Sequence, residues 1–376
     1  MAHAYTPGLR ITQRAVVRKE RRLPIAGTVL VERGAKVRAE TVVAHAELPG
    51  DVAAVNVANQ FGIAPEEVPP YMLKKQGDAV AKDEAIAETR PLIKWLRSTA
   101  RSPIAGTIET VSAITGQVMI RTAPKPVDVR AYVDGTVLEV WPGDGVVIET
   151  VGALVQGILG VGGEVSGDLA VVGGGPDADI GPGDLAKDLA GRIVVAGALL
   201  TSNVFRRAAE IGIAALVGGG IHDTDLRALM GYDLGVAVTG HEAIRPILIV
   251  TEGFGRIPMA RRTWDLLSSH AGRRASASGA TQIRAGVLRP EILVPLADSA
   301  GAAASPPEDA REAGLRVGSP VRIIREPLFG RLGTVVSLPT GLEVVESEAK
   351  VRVAEVRFAD GQTARVPRAN VEVIET

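Results

Sequence analysis

Between Ser102 and Thr150, apolar and polar positions alternate in short runs separated by regularly placed glycines. Gly106-Thr107-Ile108 leads to Gly116 and Val118, and Gly135-Thr136-Val137 leads to Gly143-Asp144-Gly145-Val146. Each half predicts strand, glycine turn, strand: β-branched residues suit a pleated surface, and glycine takes the positive φ of a tight turn. The same grammar occurs upstream. Leu23–Thr28 (LPIAGT) and Ser102–Thr107 (SPIAGT) share PIAGT at a separation of 79 residues, and Gly34-Ala35-Lys36-Val37 is echoed by Gly77-Asp78-Ala79-Val80. Segments 23–49 and 72–90 are therefore expected to form a first β module within 23–98. Its insert holds a short helix (Val52–Phe61) and a Pro-rich turn (Pro65–Pro70). A second module is expected over 99–175. The alternative is one larger, intertwined β body.

Two strand–turn–strand halves related by a pseudo-twofold resemble the biotinyl/lipoyl-like barrel-sandwich hybrid. The resemblance implies a carrier lysine on the hairpin between the halves, here read as Met119–Pro126. Ile120 and Arg121 stand where that lysine belongs, and an arginine cannot be acylated. Lys125 is the one weak candidate for a cofactor attachment, held between two prolines. No cofactor is expected, and unmodified hybrid modules imply docking and spacing. The glycines at 157, 160, 162 and 163 are expected in tight β turns. A dinucleotide loop would need a helix after them, and Glu164–Leu169 is a poor helix former.

The pattern changes over 176–297. Gly191–Gly197 predicts a short buried strand, Asn203–Ile211 a helix capped by Thr201 or Ser202, and Ile213–Val217 a second strand. A helix over His222–Gly231, strands at Leu234–Thr239 and Pro246–Thr251, and a helix over Pro258–His270 follow. This is the pattern of an open α/β domain, swivelling or Rossmann-like. In such sheets ligands bind beyond the carboxyl ends of the strands. His222, His241 and Glu252, with Asp223 and Thr239, are the weak catalytic candidates there, against the plainer reading that they are turn and cap residues.

Ser299–Pro307 (SAGAAASPP) marks a linker within 298–313. Beyond it, Gly318-Ser-Pro-Val321-Arg322-Ile323, a short loop and Phe329-Gly330-Arg331-Leu332-Gly333-Thr334-Val335 resemble a KOW motif. With the strands at 351–358 and 363–367, residues 314–376 read as an SH3-like barrel. That resemblance implies contact with RNA or a protein partner, and the candidate contact residues are Arg322, Arg325, Phe329, Arg331, Arg365 and Arg368.

Composition narrows the function classes. The 42 basic and 43 acidic residues balance, so net charge points to neither nucleic acid nor membrane. Nine of the basic residues are Lys and 33 are Arg, so any local positive face is an arginine face. With no Cys there is no thiolate chemistry or disulfide, and five scattered His predict no metal centre. Residues 1–22, with Arg14, Arg18, Lys19, Arg21 and Arg22, are expected to be an extended, solvated basic arm. It lacks the apolar core of a secretory signal, so a cytoplasmic protein without membrane contact is expected.

Taken together the chain is expected to be multidomain, mainly β with one α/β domain. It resembles a bacterial multidomain family that combines hybrid modules with a C-terminal KOW domain. The resemblance implies an architecture, and an activity does not come with it. The expected function is a non-catalytic adapter or assembly subunit that binds protein partners, with RNA or ribonucleoprotein as the second partner class. The alternative is an enzyme or small-ligand sensor with its site in the α/β crevice.

Overall fold

The computed structural model describes residues 9–89, 97–231, 244–282, 288–296, 315–323, 328, 331–339, 341–344, 350–358 and 360–373. With 48% strand and 15% helix the chain is mainly β. The first strands are β1 (Ile11–Arg22), β2 (Thr28–Val29), β3 (Lys36–Val37) and β4 (Val42–Leu48). They are completed by β11 (Lys125–Arg130), β12 (Gly135–Trp141) and β13 (Gly145–Gln156), far along the chain. Between β4 and β11 lies a second body. It comprises β5 (Val52–Asn56), the short helix α1 (Val57–Phe61), β6 (Ala79–Val80), β7 (Ala85–Glu88), β8 (Thr99–Arg101), β9 (Gly106–Val111) and β10 (Gln117–Arg121).

The two β bodies are nested. β4 pairs with β11 from Leu48↔Lys125 to Val42↔Arg130, and the inner body is inserted where those strands would otherwise meet in a hairpin. Each body has its own apolar core. Val43, Val133, Val137, Val146 and Ile148 fill the outer one, and Val55, Ile86, Ile108, Val118 and Ile120 the inner one. The pairing of 23–49 with 72–90 is thereby corrected. In the outer body Val37↔Gly135 and Lys36↔Thr136 face each other; in the inner body Val80↔Gly106 and Ala79↔Thr107 do. The same contact, a Gly-x-x-Val return against a Gly-Thr strand, is made twice, each time with the later half as partner.

The expected solvated arm is also corrected. From Ile11 onward it is β1, antiparallel to β13 along its whole length. Ile11, Ala15 and Val17 point into the cores while the basic residues find acids on neighbouring strands: Arg18 on Glu149, Lys19 on Glu291, Arg21 on Glu164.

β13 carries the sheet onward. Its second half pairs with β21 (Glu291–Pro295), which continues through β20 (Arg274–Ser278) to β15 (Glu164–Val171). From β15 the strands run parallel: β16 (Ile193–Val195), then β18 (Ala215–Ile221), then β19 (Ile247–Phe254), with β14 (Leu159–Val161) antiparallel at the edge and β17 (Leu199–Leu200) beside β18. The result is one twelve-stranded sheet. The glycine-rich run at 157–163 forms β14 and the turn into β15, with Gly162 at φ 96°.

Helices cover both faces of the parallel part, as its strands' near-continuous apolar runs require. Alternate residues go to opposite sides. Val194, Leu216 and Leu248 pack under α2 (Ser202–Ile211) and α3 (Asp223–Met230), whereas Ile193, Val217 and Ile249 share a core with Trp264 and Leu267 of α4 (Arg261–Ser269). Thr201 caps α2, its hydroxyl accepting from the Val204 N–H, and Gly212 ends it in the left-handed conformation. The strand expected at 234–239 and the linker at 299–307 lie outside the described residues.

The C-terminal sheet is separate. β22 (Pro320–Ile323), β23 (Leu332–Ser337), β24 (Leu342–Val344), β25 (Lys350–Phe358), β26 (Thr363–Pro367) and β27 (Val371–Val373) form six strands in the order β24-β25-β23-β22-β27, with β26 on β25. They close around Val321, Ile323, Val335, Val356, Phe358 and Val366.

Candidate functional site

Three places were expected to carry chemistry: the crevice at the ends of the parallel strands, the arginines of the C-terminal sheet, and Lys125. The first two meet. Glu252 sits near the end of β19 in a run of seven consecutive buried residues, and is itself only 4% exposed. One carboxylate oxygen accepts from the Ala260 N–H at 3.0 Å, fixing the loop that leads into α4. The other pairs with the Arg322 guanidinium from β22, which is 2% exposed. Arg322 also donates to the Thr251 carbonyl at 3.3 Å and the Glu252 carbonyl at 3.4 Å. Both oxygens of the crevice's buried acid are therefore committed, and the C-terminal sheet is fastened to β19. Arg322, expected as a surface contact residue, is instead an internal one. The alternation of β22 places it on the outer face of the small sheet, and that face rests on the large one.

Of the other crevice residues, the two described aspartates serve the helices. His222 is exposed at the start of α3 and makes no capping bond with its side chain. Asp223 pairs with Arg227 one turn on, and Asp225 accepts from the Ser202 N–H at 2.9 Å, tying α3 to α2. Gly218-Gly219-Gly220 lies inside β18, with the 255–259 segment against it. A Cβ on Gly219 would stand 2.1 Å from the Ile257 carbonyl oxygen, and one on Gly220 2.0 Å from that of Gly255. These glycines admit a neighbouring backbone. Thr239 and His241 lie outside the described residues.

Among the expected contact residues of the C-terminal sheet, Arg331 lies over the Phe358 ring at 3.9 Å and pairs with Asp360 at 2.6 Å. Arg365 pairs with Glu343 at 3.3 Å. Arg368 donates to the Val353 and Pro339 carbonyls at 3.1 and 2.9 Å. Arg325 and Phe329 lie outside the described residues. Each described arginine of this set is thus engaged within the protein, a poor starting point for a phosphate-tracking surface.

Lys125 does not sit on a hairpin between two halves. It opens β11, the return from the inner body to the outer one, and pairs with Asp51 at 2.5 Å. Met119 to Arg121 belong to β10, and Arg121 pairs with Glu109 at 2.9 Å. The inner body's hairpin is β7–β8, closed by the Thr89 N–H on the Ser98 carbonyl, and its connecting residues 90–96 lie outside the described ones.

One feature escaped the sequence reading. A cleft of about 790 Å³ opens between the outer β body and β15, with Tyr132 in its lining. Tyr132 is buried and held at φ 71°, a left-handed conformation that costs an aromatic residue about 1–3 kcal/mol. Its hydroxyl donates to Glu291 at 3.0 Å, and Lys19 pairs with the same carboxylate. Lys19 Nζ and the Arg21 guanidinium lie 5.8 and 5.5 Å from the ring centre. Burial, then the nearby negative charge of Glu291 and Glu164, push the phenol well above its ordinary pKa, so Tyr132 keeps its proton and serves as a hydrogen-bond donor. A lone tyrosine before Val133-Asp134-Gly135 gives little warning of this, and the acids that surround it come from distant strands.

No family model, curated protein or solved structure matches the chain. Among the described residues no group of three or more His, Asp or Glu could hold a metal ion, and no helix is long and apolar enough to cross a membrane.

Proposed function

We propose that the protein is a non-catalytic adapter or assembly subunit of the cytoplasm that binds a protein partner. In this reading the two nested β bodies are barrel-sandwich hybrid modules, the parallel strands with their helices an open α/β domain, and the C-terminal sheet a KOW-type SH3-like barrel. The observation that carries it is the Glu252–Arg322 pair. It withdraws the crevice's buried carboxylate from acid–base work and uses it to fasten one module to another, as a spacer of fixed geometry requires. The pairing of Arg331 with Asp360 and of Arg365 with Glu343 favours a protein partner over RNA.

The test is a mild-salt affinity pull-down from native lysate, divided and run with and without RNase, then passed over a sizing column. A defined protein that stays at stoichiometric amount through both steps is expected. Loss of the bound material on RNase treatment would transfer the function to RNA, and a chain that emerges alone would reject the adapter reading.

A further inference from the structure

The cleft over Tyr132 is lined by two arginines that its own acids leave unpaired. Its lining includes four carboxylates and four guanidiniums. All four acids have partners. Glu164 holds Arg21 through two hydrogen bonds of 2.8 and 2.6 Å, and Glu20 accepts from Arg22 at 3.1 Å. Glu40 pairs with Arg274 and accepts from the Ser166 hydroxyl at 2.5 Å; Asp128 pairs with the His45 ring at 2.7 Å. Arg274 and His45 reach these acids from outside the lining, and Arg22 is shared between Glu20 and Asp144. Arg130 and Arg245 line the same cleft, and neither has an ion-pair partner among the described residues.

These two arginines come from different parts of the fold. Arg130 ends β11 of the outer body, and Arg245 precedes β19 in the parallel sheet. Beneath them the surface is fixed: Tyr132 is held by Glu291, by its N–H on the Ala39 carbonyl at 2.9 Å, and by the cations over its ring. A volume of about 790 Å³ falls in the range of small-molecule sites and is far too small for a macromolecule. Guanidinium groups bind oxyanions through paired N–H donors, and two of them call for two negative charges.

We propose that this cleft binds a small organic dianion, a phosphate monoester or a dicarboxylate, between Arg130 and Arg245. Docking a partner protein elsewhere on the molecule does not require it, and the site stands or falls independently of the adapter reading.

The experiment is isothermal titration calorimetry on the full chain with inorganic phosphate, succinate and acetate, at one pH and constant ionic strength. Saturable binding of phosphate or succinate, and none of acetate, is expected. Phosphate without succinate assigns a phosphate monoester, and the reverse assigns a dicarboxylate. In the double variant Arg130→Gln/Arg245→Gln the affinity falls by about tenfold or more, the effect of losing charged hydrogen bonds. Its melting temperature without ligand stays at the parent value, because both side chains are exposed and the Arg130 carbonyl that accepts from Arg21 is backbone. Arg365→Gln, on the C-terminal sheet, leaves binding unchanged. Absence of saturable binding, equal binding of acetate, or dianion affinity that survives in the double variant would overturn the proposal.

Discussion

Replacing Arg322 by Met removes one member of a buried ion pair and leaves the other in place. Glu252 would keep its bond from the Ala260 N–H but lose the guanidinium, in a site where the acid is 4% exposed. Breaking a buried pair from one side costs about 3–5 kcal/mol, because a charge is left without compensation. Every 1.4 kcal/mol is about a factor of ten, so opening of the joint becomes more frequent by roughly two to three and a half orders of magnitude. Removing the charge as well changes the outcome. In Glu252→Gln/Arg322→Met the amide oxygen still accepts from Ala260 and no buried ion remains. The double variant is expected to recover about 2 kcal/mol or more of the single variant's loss, a coupling within the range measured for residues in contact.

Hydrogen exchange at the amides of Val321–Ile323 and of β19 reads this locally, which matters because a chain with several separate cores need not unfold in one step. Exchange in Arg322→Met should accelerate in both segments together. Strict additivity of the two substitutions, or an acceleration below about tenfold, would show that the pair does not hold the C-terminal sheet to β19. Raising salt supplies a control. Exposed pairs such as Arg331–Asp360 weaken, whereas a pair excluded from water is screened far less.

Other expectations follow from the same geometry. Of the four tyrosines, Tyr132 should fail to ionise near pH 10 in an alkaline absorbance titration of the folded protein. Its raised pKa makes its share of stability fully present below about pH 10 and lost as pH climbs toward the folded value; ionisation of Tyr132 alongside its fellows would refute the buried hydrogen bond to Glu291. His270 has a lowered pKa, from burial and then from the Arg273 charge, so the unfolded chain takes up its proton first. Stability should fall as pH drops below about 6.5, and His270→Gln should flatten that part of the denaturation profile. Gly219→Ala would force a methyl to within 2.1 Å of the Ile257 carbonyl oxygen and is expected to cost about 1–3 kcal/mol. An unchanged melting temperature would mean that residues 255–259 do not press on β18.

What the sequence disclosed, and what it withheld, divides along local and distant determinants. Thr201, Gly212 and the apolar residues between them announce α2 because cap, stop and periodicity all lie within one short stretch. The strand–turn–strand halves were equally plain. Their partners were not, because equivalent halves carry near-equivalent words: Gly34–Val37 and Gly77–Val80 suit Gly135-Thr136 and Gly106-Thr107 alike. Nesting decides between them, and nesting is a property of the whole chain. β1 was misread for a related reason. Its cations look solvated until Glu149, Glu164 and Glu291 arrive from strands more than a hundred residues away.

Arg322 shows how a correct rule yields a wrong environment. Period-two alternation puts Val321 and Ile323 inside the small sheet and Arg322 on its other face, as observed. Equating that face with solvent was the error. The missing half of the argument was present at Glu252, a lone acid in a strand whose apolar run demands cover on both faces. An ionised carboxylate in such a strand needs a counter-charge, since leaving it unpaired is too costly to persist. The parallel strands around it offer no basic residue at the neighbouring positions, Ile249 to Thr251 and Gly218 to Gly220 being uncharged. An arginine flanked by two core residues on a short strand of the C-terminal sheet answers that need. Lone charges in two otherwise apolar strands are the sequence trace of a contact between two sheets.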